Sequence, residues 1–280
     1  MTVTPPAAVD APVRFRHPLA AEWTKLWSLR STPLVLAVGA LVVIGINVNA
    51  ARSNAARLSA LPKSPQGMEG PRWAYDPLGA AFVDPAWQLL MVIAACVGAV
   101  ALSGEYATGL ARTTFTAVPD RGAVVRAKAA VVTAVTLVLG AVVSLVSFGA
   151  TQALLREHGG LSLADPGALR AVAGSALIAP VCGLAGMAAG ALVRHAAGSV
   201  VAVIGTLLLL PALFQGETYR WVKETGHLMP LSAWAALVRN PGRPVLEKYP
   251  MEVAEAWVVL GGWAVAGFLV AVAAVRYRDV

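Results

Sequence analysis

The chain has 280 residues, of which 58% are hydrophobic and only 13% charged. An ordinary soluble domain is about a quarter charged and just under half apolar, so a soluble enzyme and a disordered chain are both excluded. The formal net charge of +7 would point to nucleic acid in a soluble protein; here it reflects anionic lipid and topology signals, with no nucleic acid partner.

In chain order, residues 1–17 carry Pro5, Pro6 and Pro12 and little apolar content, and read as a tail. Residues 19–30 follow Pro18, a favourable first helical position. On a helical wheel Leu19, Trp23, Leu26 and Trp27 share one face, with Thr24, Lys25 and Ser28 opposite. That predicts a helix lying in the headgroup plane, its Trp rings at the boundary and Lys25 toward phosphates. Arg30, Ser31, Thr32 and Pro33 separate it from the first long apolar run.

A membrane span needs roughly 20 apolar residues, because about 30 Å of hydrocarbon is crossed at about 1.5 Å per residue. Six runs without Asp, Glu, Lys or Arg reach that length: 31–51, 85–104, 129–155, 171–193, 196–216 and 256–275. Barrel strands would be about 10 residues of strict alternation, so continuous runs mean helices. The first run begins after about 30 residues and is longer than a signal-peptide core, so it reads as an uncleaved signal-anchor. Asn47 and Asn49 near its end are polar for their depth, and either line a pathway or bond between helices.

The segment 104–128 predicts a short helix over 105–117, with Leu110, Phe115 and Val118 toward the membrane. A turn follows at Pro119-Asp120-Arg121-Gly122, and Arg126 and Lys128 then snorkel at the start of the third span. In the fourth span Gly183, Gly186 and Gly190 form a close-packing stripe, within the subunit or across a dimer. The stretch 217–255 is too charged to span, with apolar anchors such as Trp221, Leu228 and Trp234; short helices are expected there, at the outer interface or dipping inward between the fifth and sixth spans.

The expectation is therefore an all-α integral membrane protein. It has six transmembrane helices, cytoplasmic N- and C-termini and an N-terminal interfacial helix. Residues 1–30 form the tail and interfacial helix, and residues 31–280 the six-span domain. With the N-terminus inside, Lys and Arg number eleven on each side, but inside segments are shorter and net +6 against +1 outside. Density of basic charge thus favours that orientation.

Chemistry is sparse. There is no Gly-Lys dipeptide, hence no phosphate-binding loop of the G-x-x-x-x-G-K-[ST] kind. No His lies within a span, so Ser175 and Ser199 have no base there, and no H-E-x-x-H occurs. No ionisable residue sits in mid-span, where ion-coupled transporters place them. Cys96 and Cys182 read as small apolar filler. No catalytic residue, metal site or cofactor is expected.

Three stretches resemble the permease subunits of ATP-binding-cassette (ABC) exporters of the type-2 family, in actinobacterial style. They are Glu22–Thr32 before the first span, Ser103–Lys128 between the second and third, and Asp165–Arg170 with the Gly-rich fourth span and Leu192–Gly198. The resemblance implies a multi-pass protein of the bacterial plasma (inner) membrane that pairs with a second permease copy or paralogue. It also implies binding of cytoplasmic ABC ATPase subunits, which supply ATP hydrolysis in trans. It makes 105–118 a coupling helix, with Glu105, Gly109, Arg112, Pro119, Arg121 and Lys128 as the coupling residues. Glu105 and Arg112 would contact the ATPase, Gly109 would allow close approach and Pro119 would fix the exit turn. Trp23, Lys25, Trp27 and Arg30 belong to the interfacial helix, in contact with membrane lipid. By composition alone, a secondary transporter and a non-transporting membrane scaffold or immunity protein fit the same spans.

Overall fold

The computed structural model describes residues 15–60, 76–110, 120–214, 216, 218–245 and 247–277. Arg112 and Pro119, with Phe115 and Val118, lie outside them. Among the described residues the chain is helical and has no strand. The helices are α1 (Arg16–Ser28), α2 (Ser31–Ala60), α3 (Asp84–Ala107), α4 (Arg121–Leu154) and α5 (Ala168–Val193). They continue as α6 (Ala196–Leu213), α7 (Arg220–His227), α8 (Pro230–Val238) and α9 (Val253–Tyr277). Six of these, α2 to α6 and α9, are long and apolar enough to cross a membrane, which makes this a multi-pass membrane architecture.

Helix α5 is the hub: it packs on α3, α4, α6, α8 and α9. The close approach is permitted by glycine. A Cβ on Gly186 would lie 1.9 Å from the Ala95 carbonyl oxygen, and one on Gly190 2.5 Å from that of Ala99. The reciprocal position on α3 is Gly98, where an added Cβ would lie 1.9 Å from the Gly183 carbonyl oxygen. In lipid, helices gain little from the hydrophobic effect and associate through such tight backbone contact. The Gly183, Gly186 and Gly190 stripe is thus occupied inside the subunit, by α3 for the latter two and by Val132 and Thr136 of α4 for Gly183.

The helices overrun the charge-free runs. Helix α2 continues to Ala60 through Arg52 and Arg57, because charged residues are good helix formers once outside the hydrocarbon. Helix α4 starts at Arg121, eight residues before the run at 129. The turn expected at 119–122 is corrected accordingly: Asp120 is an N-cap, accepting a hydrogen bond from the Ala123 N–H at 3.0 Å, and Arg121 and Gly122 already lie in the helix. Within α6 one π turn, Gly205–Leu209, precedes Pro211. Proline has no N–H to close an ordinary turn and crowds the carbonyl four residues back, and a wider turn relieves both.

The two ends of the bundle are built differently. At one end sit the C-termini of α3, α5 and α9 with the N-terminus of α4, joined by Leu102, Val125, Met187 and Val275. The other end is laced by polar contacts. Asn240 donates to Asp76 at 3.0 Å, and Gln152 donates to the Pro77 carbonyl at 2.7 Å. Arg170 donates to the carbonyl of Leu237 at 3.0 Å and also to that of Arg239, satisfying acceptors at the end of α8. The short helices expected in 217–255 are α7 and α8, and α8 is the one that dips inward, packing on α5 and α9. Trp234 is fully buried and its Nε1 donates to Ser175 Oγ at 2.9 Å. Ser175 is thereby a structural acceptor, as Ser199 is a structural donor to the His195 carbonyl.

Candidate functional site

Helix α1 buries Pro18, Glu22 and Leu26, spaced at i, i+4, i+8. Of the expected apolar face, Leu26 is buried and Leu19 half-buried. Trp23 and Trp27 are exposed, their rings 5.7 Å apart, and with Leu36, Val135 and Leu139 they border an apolar groove. Arg30 is exposed in the short link to α2.

Burying Glu22 draws charges from three helices together. Lys25 Nζ donates to Glu22 at 2.8 Å and to Glu105 at 2.9 Å. Lys128 Nζ donates to Glu105 at 2.9 Å and to the second oxygen of Glu22. Two carboxylates and two ammonium groups thus form a closed ring with no net charge. Glu22, Glu105 and Lys128 are at most 8% exposed. Charges this deep persist only when paired and hydrogen-bonded.

Each member is placed by local structure. Glu22 and Lys25 sit one helical turn apart on α1. Glu105 is in the last turn of α3, and Lys128 in the second turn of α4. Helix α3 ends through Thr108, whose N–H and side chain both bond to the Gly104 carbonyl. Gly109 then adopts φ +73°, the left-handed conformation that terminates helices. Among the described residues nothing lies within 4 Å of a Cβ built there, so what these residues ask of Gly109 is its backbone conformation.

Two sequence expectations are corrected. Lys25 points not to phosphates but to Glu22 and Glu105. Burial is the largest single influence on it and lowers its pKa; the two hydrogen bonds and the two carboxylate charges together outweigh that, so the ammonium titrates above its ordinary value. Lys128 does not snorkel: it is buried, and its ammonium is taken up by Glu22 and Glu105. Arg126, on the outer face of α4, does stay exposed and pairs with Asp120 at 3.3 Å. Arg121 opens α4 and is half-buried.

The ring closes one end of a cleft of about 320 Å3 between α1, α3 and α4, with Leu26, Val100, Leu110 and Val131 as its apolar walls. Next to it, the Arg194 guanidinium lies 4.9 Å from the Tyr106 ring centroid, and Arg194 itself has φ 57°. Chemically the arrangement offers fixed charge and a polar-to-apolar boundary. Among the described residues no His, Cys, Asp and Glu group could hold a metal.

Asn47 and Asn49 separate. Asn47 is fully buried, donates to Ser147 Oγ at 3.1 Å and accepts from the Val83 N–H at 3.2 Å, so it ties α2 to α4 and caps the start of α3. Asn49 is on the exposed face of α2. The residue that sequence reasoning left out of the site is Glu22. Its signal was its position between Leu19 and Leu26 on the same helical face. No protein-family model matches the chain, and no curated protein matches it.

Proposed function

We propose that this chain is the membrane-spanning permease subunit of an ATP-driven exporter, coupled to a separate ATPase through the segment that joins α3 to α4. The observation that carries the reading is the ion ring. It locks α1 to both ends of that segment, at the last turn of α3 and the second turn of α4. A push on the connection is then delivered to three helices as one body. From α3 the displacement reaches α5 through the Gly98–Gly183 and Gly186–Ala95 backbone contacts, which are too tight to slip. Rigid-body tilting of packed helices is a common form of alternating access. The absence of a phosphate-binding loop in the sequence fits an ATPase supplied in trans. In this reading the ring end faces the cytoplasm, α1 lies in the headgroup region with Trp23 and Trp27 toward lipid, and Arg112 contacts the ATPase.

Affinity purification of the tagged full-length chain from its native membrane tests this. An ATPase carrying a phosphate loop should co-purify, and its ATPase rate should rise when the permease is present. Glu105→Gln should keep insertion and lose most of that stimulation. Transport that continues after ATP depletion, or full stimulation by Glu105→Gln, overturns the coupling reading.

A further inference from the structure

At the end of the bundle opposite the ion ring, α7 and α8 roof a cavity of about 370 Å3. One side is apolar, formed by Pro211, Phe214, Leu231 and Met251, and the other carries Lys223, His227 and Arg239. The two cations come from different elements yet converge on one atom. Lys223 Nζ lies 3.5 Å, and a terminal nitrogen of Arg239 3.4 Å, from the same oxygen of Glu247. Charge-assisted hydrogen bonds of this kind are ordinarily about 2.7–2.9 Å, so the carboxylate is loosely seated. It is also the most exposed of the three side chains, at 42% against 17% for Lys223 and 27% for Arg239. Arg239 is further held by the Met251 carbonyl at 3.3 Å. The cations are therefore the fixed part and Glu247, from the loop, the displaceable part. His227 also lines the cavity.

We propose that this cavity binds a small amphiphilic organic anion, with a carboxylate or phosphate monoester head and a short apolar tail. The head replaces Glu247 between Lys223 and Arg239. The tail lies against Phe214, Leu231 and Met251. The size falls within the usual range of ligand pockets, about 300–1,000 Å3, at its lower end. Glu247 acts as an internal competitor, so the empty site carries no unpaired cation. Asp84 lines the same cavity and adds negative charge, which keeps affinity moderate. The inference concerns binding alone and does not rest on coupling to an ATPase.

The test uses the full-length protein in nanodiscs of zwitterionic lipid, titrated calorimetrically against empty nanodiscs. Octanoate and octyl phosphate are the probes; octanamide and octylamine are the uncharged and cationic controls. Both anions should bind more tightly than either control, and the stronger of the two identifies the preferred head. Lys223→Gln and Arg239→Gln should each weaken octanoate binding about tenfold, and Glu247→Gln should tighten it about tenfold. Glu247→Gln is decisive, since a misfolded chain does not gain affinity. Equal or weaker octanoate binding by Glu247→Gln, or controls that bind as well as the anions, overturns the proposal.

Discussion

Lys128 shows how a buried ion ring differs from four separate charges. Removing its ammonium leaves Glu22 and Glu105, both buried, to share Lys25. Breaking a buried pair in this way costs about 3–5 kcal/mol, because the surplus carboxylate stays desolvated. Lys128→Met should therefore unfold at markedly lower temperature. Adding Glu105→Gln restores neutrality, so the double variant should be less destabilised than the sum of the two single ones, by about 0.5–3 kcal/mol. Strict additivity in thermal unfolding would show that the four residues do not act as a ring. Lys25 adds a pH signature. Its folded pKa is raised, so its contribution is complete below the unfolded value of about 10.5 and is lost as pH rises through the higher folded value. The melting-temperature gap between wild type and Lys25→Met should thus stay flat from about pH 7 to pH 9 and close only in stronger alkali. Asn47 provides a neutral counterpart. Asn47→Leu strands the Val83 N–H and should cost about 1–3 kcal/mol, whereas Asn49→Leu, on an exposed face, should stay within about 0.5 kcal/mol.

Among the helices, the contrast between glycines separates packing from propensity. Gly186→Ala drives a methyl into the Ala95 carbonyl, which only a separation of α3 and α5 relieves, and overpacking of this kind costs about 1–3 kcal/mol. Gly261→Ala, in α9 with open space at its Cβ, should be neutral or stabilising by up to about 1 kcal/mol. Equal unfolding temperatures for the two variants would refute the glycine-mediated crossing. This level was also the most legible in the sequence. Six charge-free runs became six long apolar helices, because a span's length and apolarity are local properties. The ends were less legible. Arg52, Arg57, Arg121 and Arg126 are helical, and a count of charge-free residues stops before them. The ring was not legible, since Glu22 and Lys128 are 106 residues apart and meet only through the packing of α1 on α4. In the sequence a lysine at the start of a span reads as headgroup-facing, and only the bonds to Glu22 and Glu105 reverse it. Trp234 was similarly undecided: an aromatic in a charged loop reads as an interface anchor or as part of an inward dip, and its N–H found Ser175 inside the bundle.

For the whole molecule, six spans fit a bilayer either way up, and charge at the two ends distinguishes the orientations. Lys and Arg number eleven in the segments flanking each end, and those at the ring end are shorter, so the orientation expected from basic density has the ring end in the cytoplasm. That orientation is what the proposed coupling requires, and it puts the anion cavity under α7 and α8 on the outer face. Cysteine accessibility reads it directly. The native thiols are Cys96 and the buried Cys182, so alanine at both gives a silent background. Ser28 is exposed at the ring end, and Ser162 and Thr218 are exposed at the other. In intact cells a membrane-impermeant maleimide should label Ser162→Cys and Thr218→Cys, and should label Ser28→Cys only after permeabilisation. The reverse pattern would put Glu105, Lys128 and the α3–α4 connection outside, beyond the reach of any cytoplasmic ATPase. It would also turn the Lys223–Arg239 cavity toward the cell interior, where cytoplasmic anions and not external ones would compete with Glu247. A single labelling experiment therefore bears on both sites at once, because the fold fixes them at opposite ends of one rigid set of helices.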